Sequence, residues 1–239
     1  MKPASGNRLL VIVFLILVGP GALGQAQTST AWEAWPSLKA NIELRPRTRL
    51  LIFGELENGL NLPFLKWESG ALLNYRMKRI LRVAPRVFDE EHKYNLVVGA
   101  GFEHSETIQN DKAKRENRIV IQATPRHRPG AGILLTDRNR IEFRWVDGVY
   151  DLRYRNQLMV DRALQFGALR FTPYASGELF YDRNHHSWNE NHYAFGVQLP
   201  LRQSLMVDSY YLRQNCTTCS EERVNVLGLT FNLYLGRRR

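Results

Sequence analysis

The chain has 239 residues, a formal net charge of +10, 44% hydrophobic and 11% aromatic residues, and a mean hydropathy of −0.36. The basic balance rests on twenty-six arginines against seven lysines, spread at every second position rather than clustered, which argues against a nucleic-acid partner. The composition suits a membrane β-barrel with half-apolar strands or a secreted β-sandwich, and no stretch approaches the ~20 apolar residues of a spanning helix.

The N-terminus reads as an export signal. Lys2 and Arg8 are followed by the apolar run Leu9–Val18 and by Gly19-Pro20. Small residues suited to cleavage stand at Ala22-Leu23-Gly24 and Gly24-Gln25-Ala26. The expected layout is a signal peptide over 1–26, a periplasmic lead-in over 27–36, a barrel over 37–236 and a basic tail over 237–239.

Beyond the signal, apolar residues recur at period two, the spacing of a strand with two unlike faces. Leu38, Ala40, Ile42 and Leu44 open the series and Pro46 closes it. Arg49–Glu57 follows, then a turn over Asn58–Pro63. Trp67–Val83 is long enough for one strand or for two joined near Met77-Lys78. Tyr94, Leu96, Val98, Ala100 and Phe102 form the apolar side of the next strand, opposite Asn95, Gly99, Gly101 and Glu103. Thr107–Glu116 reads as a long charged loop. Arg118–Thr124 is a strand, and Pro125–Gly130 a turn.

The central hairpin runs from Thr136 to Met159. Arg138, Arg140, Glu142 and Arg144 lie on one side, Ile141, Phe143 and Trp145 on the other. Asp147-Gly148 makes the turn, because glycine tolerates the positive φ that a two-residue hairpin needs. Arg153, Arg155 and Gln157 then oppose Leu152, Tyr154 and Leu158, with Asn156 falling on the apolar side. Strands follow at Leu169–Tyr181, His192–Leu199, Leu205–Arg213 and Val224–Leu235. Asp182–Glu190 and Asn215–Glu222 read as long polar loops, and Gln165–Gly167 and Pro200 mark short turns.

These are eleven segments. Bacterial single-chain barrels close with even numbers, so Trp67–Val83 is expected to supply two strands, for about twelve in an antiparallel up-and-down barrel. Long loops alternating with short turns, and Trp67, Tyr94, Trp145 and Tyr181 near strand ends, fit such a barrel in the outer membrane of a Gram-negative bacterium.

The runs LLTDRNRIEFRW (134–145), YDLRYRNQL (150–158), FTPYASGELFYD (171–182) and LMVDSYYLRQ (205–214) resemble the bacterial family catalogued as domain of unknown function 2490. The resemblance covers roughly Trp35–Leu235. Its most specific part is Arg138, Arg140, Glu142 and Arg144. It implies an outer-membrane β-barrel and no established activity. The Cys pair and the Arg237-Arg238-Arg239 tail depart from the family pattern.

The strongest constellation is a charge ladder expected to face the lumen: Arg76, Arg138, Arg140, Glu142, Arg144, Arg153, Arg155 and Glu178. Buried charges must be paired. Such a set either plugs and stiffens a narrow barrel or lines an anion-selective pore or anionic-ligand site. Cys216-Thr217-Thr218-Cys219 lacks the further ligands of a zinc site, and in an exported protein the pair is expected to form a disulfide. His104-Ser105 cannot act together, because neighbouring strand residues face opposite ways, although His104 could meet a serine from another strand. His185 and His186 have no carboxylate at convincing spacing. No cofactor or metal is expected. The expected partners are outer-membrane lipid, lipopolysaccharide and the barrel-assembly machinery, with a small anionic ligand a further candidate. The working reading is a narrow channel or ligand-binding barrel with an Arg-rich lumen. The alternatives are an outer-membrane lipid-modifying enzyme and a purely structural plugged barrel.

Overall fold

The computed structural model describes residues 30–79, 93–109 and 112–236. The signal peptide expected over 1–26 and the basic tail 237–239 lie outside the described residues. Among the described residues twelve strands follow one another: β1 (Ala31–Arg45), β2 (Thr48–Gly59), β3 (Phe64–Arg79), β4 (Tyr94–Gln109), β5 (Lys112–Gly130), β6 (Ile133–Val146), β7 (Val149–Arg162), β8 (Leu164–Phe166), β9 (Leu169–Asp182), β10 (Ser187–Arg202), β11 (Leu205–Cys216) and β12 (Arg223–Leu235).

Eleven of them close into a barrel. Each pairs antiparallel with its neighbour in chain order, except that β7 pairs with β9. The short β8 hairpins onto the start of β9 and stays out of the ring. The ring closes through β1 and β12, which run parallel from Ala31↔Val224 to Ile42↔Leu235. This corrects the twelve-strand antiparallel expectation. Each hairpin reverses the chain, so an odd ring must join two strands that point the same way. Phe64–Arg79 is a single strand, because Lys66, Glu68, Gly70, Leu72, Asn74 and Arg76 keep one face without a break and leave no turn near Met77. The parallel closure also puts Ala31 and Gly236 at opposite ends of the barrel.

At the Asp147-Gly148 turn both residues have positive φ, 48° and 84°, which matches the right-handed twist of a two-residue hairpin. Elsewhere the strands run further than the polarity of the sequence suggests. β4 and β5 continue through most of 107–116, β5 extends over Pro125–Gly130 to a turn at Ala131-Gly132, and β1 opens at Ala31 within 27–36. The contrast between long loops and short turns is correspondingly weak. The connections at the Ala31 end include Asp147-Gly148, Arg183–His186 and Thr217–Glu222.

The two faces are chemically distinct. Outward positions carry Leu38, Ile52, Leu73, Phe102, Ile119, Ile121, Ile141, Leu158, Leu179, Phe195 and Leu229, all well exposed. Toward the Ala31 end this wall bears exposed Trp32, Trp67, Trp145, Tyr150, Trp188 and Tyr211. Tyr94 does not join them. It is buried with its ring under the Arg76 guanidinium, 5.6 Å away, and its hydroxyl donates to the Pro46 carbonyl. Asn156 does face outward, where its amide donates to Asp137 Oδ1 at 2.6 Å and Asn139 Oδ1 at 3.2 Å.

Inside, two tyrosines lie over glycines on the next strand. A Cβ on Gly196 would sit 2.5 Å from the Tyr174 ring, and one on Gly228 would sit 1.9 Å from the Tyr210 ring. Those glycines make room for rings that fill the lumen.

Candidate functional site

The interior splits into two sectors. One is apolar: Ala31 and Trp35 of β1, Ala194 of β10, Leu212 of β11, and Val224 and Val226 of β12 pack together, with Leu62 and Tyr210 beside them. The other is a continuous chain of ion pairs across eight strands, β2 to β7, β9 and β10. Lys66 Nζ holds Glu57 at 2.6 Å and Glu68 at 3.5 Å. Arg118 joins Glu68 to Glu103, and Arg140 Nη1 reaches Glu103 at 3.0 Å and Glu142 at 3.5 Å. Arg155 bridges Glu142 at 3.0 Å and Glu178 at 2.9 Å, and Arg138 donates to Glu178 at 2.9 Å.

A parallel branch lies toward the Ala31 end. Arg144 forks onto Glu116 through Nε at 2.6 Å and Nη2 at 3.0 Å, while its Nη1 reaches Asp151 and Asp182. Arg153 carries the chain from Asp182 to Glu190, which accepts from His192 Nε2 at 2.7 Å when that nitrogen is protonated. The planar guanidinium fork presents several donors in fixed directions, so Arg144 serves three carboxylates from three strands at once.

Seven of the eight sequence-predicted ladder residues meet in this network: Arg138, Arg140, Glu142, Arg144, Arg153, Arg155 and Glu178. Arg76 stands apart. It pairs with Glu43, which also accepts from Arg49 Nε at 2.8 Å, in a separate cluster near the Gly236 end. The Arg49 guanidinium lies 5.5 Å from the Tyr234 ring centre. Sequence reasoning missed Glu68, Glu116, Asp151 and Asp182, and did not place Glu103 or Arg118 in the ladder. Glu103 is a lone charge among small residues at period two, Gly99, Gly101 and Ser105, and Arg118 follows Glu116 on the same face of its run; the lone charge and the opposite-sign pair are the signals that could have found them.

Burial describes the state of the lumen. Glu103 and Glu142 have 0% exposure, and Arg49 and Arg76 only 1% and 2%. The interior is therefore filled at two heights, by the central network and by the cluster near the Gly236 end.

Cys216 and Cys219 are joined by a disulfide with Cα atoms 5.5 Å apart, tying the base of the 217–222 loop. Among the described residues, Glu190 with these two sulfurs is a group spaced for a metal, but both sulfurs are taken by the disulfide. His185 and His186 sit in the Arg183–His186 turn. His104 faces outward, against the Trp67 ring at 5.0 Å, with Nδ1 2.8 Å from Asn117 Oδ1, whereas Ser105 points inward and is buried.

The fold and its interior define a class: a closed β-barrel with an apolar outer wall and a paired, charged core. The chain belongs to the family described as Protein of unknown function (DUF2490), whose model matches residues 91–225. That span runs from the start of β4 into β12 and leaves out β1 to β3. No curated protein and no solved structure matches the chain.

Proposed function

We propose that this protein is an outer-membrane β-barrel without an open pore, with an interior that holds the barrel rigid and a working surface on its lipid-facing wall. The carrying observation is the complete burial of Glu103 and Glu142 inside an arginine network. A water-filled channel would leave lumen carboxylates hydrated, and a wide anion pore would leave guanidinium groups free. The location is supported by the outward band of Ile, Leu and Phe and by the aromatic residues at its Ala31 edge, an arrangement that lipid and its interface favour. Outer-membrane lipid is then the principal partner, and delivery passes through an export signal and the barrel-assembly machinery.

Planar-bilayer recording of the refolded barrel tests this. The expected result is no discrete conductance from protein whose migration on gels is heat-modifiable. Anion-selective steps that vanish in Arg138→Ala/Arg140→Ala would overturn it in favour of a narrow Arg-lined channel.

A further inference from the structure

The register of three strands brings a serine, a histidine and an asparagine into one row on the outer wall. Ser69 of β3 stands directly opposite His104 of β4, and His104 directly opposite Asn117 of β5. They are 35 and 13 positions apart in the chain, so only strand pairing unites them. Neighbouring residues across a ladder have Cβ atoms about 5 Å apart, close enough for side chains to meet by rotation alone. The His104–Asn117 contact is made, Nδ1 to Oδ1 at 2.8 Å. With Nδ1–H donating to Asn117, Nε2 is left as the free base.

A second, independent observation lies beside it. A shallow, open depression of about 500 Å³ lies on the same wall, with Leu38, Gly54, Leu56, Trp67, Ser69 and Phe231 along it. It follows the same register row: Phe231 pairs with Leu38, Leu38 with Gly54, and Gly54 with Ser69. The absent side chain of Gly54 deepens it next to the hydroxyl. The row sits at the aromatic edge of the apolar band, since Asn117 pairs with Trp145 and Trp145 with Tyr150. One step nearer the Ala31 end, Glu106 pairs with the exposed Arg115, whose Nε lies 3.2 Å from Glu106 Oε1. That guanidinium is free to meet an anionic headgroup if the apolar band lies in lipid.

We propose that Ser69, His104 and Asn117 form an acyl-ester hydrolase site for membrane lipids, with the depression holding one acyl chain. The proposal rests on the lipid-facing reading of the wall. Ser69 Oγ attacks the ester carbonyl carbon as its proton passes to His104 Nε2. The bond from that carbon to the alkoxy oxygen breaks, and the proton goes on to the departing alcohol. Water then attacks the acyl-serine while His104 takes its proton. The fatty acid leaves, and the proton returns to Ser69 Oγ. Asn117 is a positioning residue: it fixes the ring and the tautomer, the part a buried carboxylate plays in other nucleophile–base pairs. The aromatic edge supplies both the lipid and the water this reaction needs.

The test uses the refolded full barrel in liposomes, checked by heat-modifiable migration, with a fluorophosphonate probe and phosphatidylethanolamine mixed micelles. Wild type is expected to label at Ser69 and to release fatty acid. Ser69→Ala and His104→Ala lower the rate by about 1,000-fold or more. Asn117→Ala lowers kcat by about 100-fold with little change in KM, and Asn117→Asp, which keeps an oxygen acceptor at Nδ1, recovers most of it. Labelling at another serine, no labelling of the folded barrel, or an unchanged rate in Ser69→Ala overturns the site and leaves the barrel reading standing. A chain that stays folded and monomeric in buffer without entering liposomes overturns the barrel reading instead.

Discussion

Replacing Glu178 by leucine tests whether the lumen is dry. Glu178 accepts from Arg138 Nη2 and from Arg155 Nε, both at 2.9 Å. Arg155 keeps Glu142 at 3.0 Å after the change, so the loss falls mainly on Arg138. Breaking a buried pair by removing one partner costs about 3–5 kcal/mol, because the remaining charge has neither water nor counter-ion. Arg138 retains 27% side-chain exposure, which places it at the lower end, about 3 kcal/mol. With a urea slope of about 3 kcal/mol/M, the unfolding midpoint in lipid falls by about 1 M. Tryptophan fluorescence follows the transition. The double variant Arg138→Leu/Glu178→Leu removes both charges and is expected to recover most of the loss. If Glu178→Leu stays within about 0.5 kcal/mol of wild type, water alone replaces the carboxylate beside Arg138, and the argument for a closed lumen fails.

Two further perturbations address the wall and the interior. Ile121 lies mid-strand in β5 and faces outward between Ala100 and Ile141, so Ile121→Arg is expected to cost about 2–4 kcal/mol in a bilayer, measured by urea unfolding in liposomes. A cost near zero would mean that the wall faces water. Gly228→Ala places a methyl against the Tyr210 ring and is expected to cost about 1–3 kcal/mol, seen as a lower temperature of gel-mobility shift. Full recovery of that loss in Gly228→Ala/Tyr210→Ala would identify the ring as the obstruction; no loss at all would show that the ring moves freely in the lumen.

Most of the barrel was legible because its evidence is local. Each ring strand carries its own period-two pattern, and all eleven runs read from the sequence correspond to the eleven ring strands. The count went astray where a general rule on parity was set above the pattern. Trp67–Val83 admitted one strand or two joined near Met77-Lys78; the structure carries one strand through to Arg79, with Lys66 to Arg76 holding one inward face, and 80–83 lie outside the described residues. Strand ends were less legible for a physical reason. Residues such as Glu106, Lys114 and Arg115 are polar because they extend past the apolar band, and polarity alone does not separate a solvated strand from a loop. The ladder pairs 106–109 with 112–115, so the hairpin continues where the sequence resembles a loop.

The two chemical constellations differ in the same respect. Arg138, Arg140, Glu142 and Arg144 advertise themselves, because four charges on one face of one strand need a polar interior. Their partners Glu116, Asp151 and Asp182 come from three other strands and carry no such local signature. The outer row is harder still. Ser69, His104 and Asn117 are each an ordinary polar residue near the end of an apolar run, and a shift of one residue in either pairing would turn one of them to the opposite face. Their meeting is a property of register, which is fixed by long-range pairing along β3, β4 and β5. The same dependence makes the site testable without touching it. Glu103 and Arg118 pair across β4 and β5 one step from His104 and Asn117, on the inner face, and also meet through Arg118 Nε at 3.5 Å. The inner network thus holds in place the register that brings the outer row together. Loosening it with Glu103→Gln is expected to lower lipid hydrolysis through kcat while serine labelling persists. Unchanged turnover in a variant with a lowered unfolding midpoint would separate the two faces and refute the coupling.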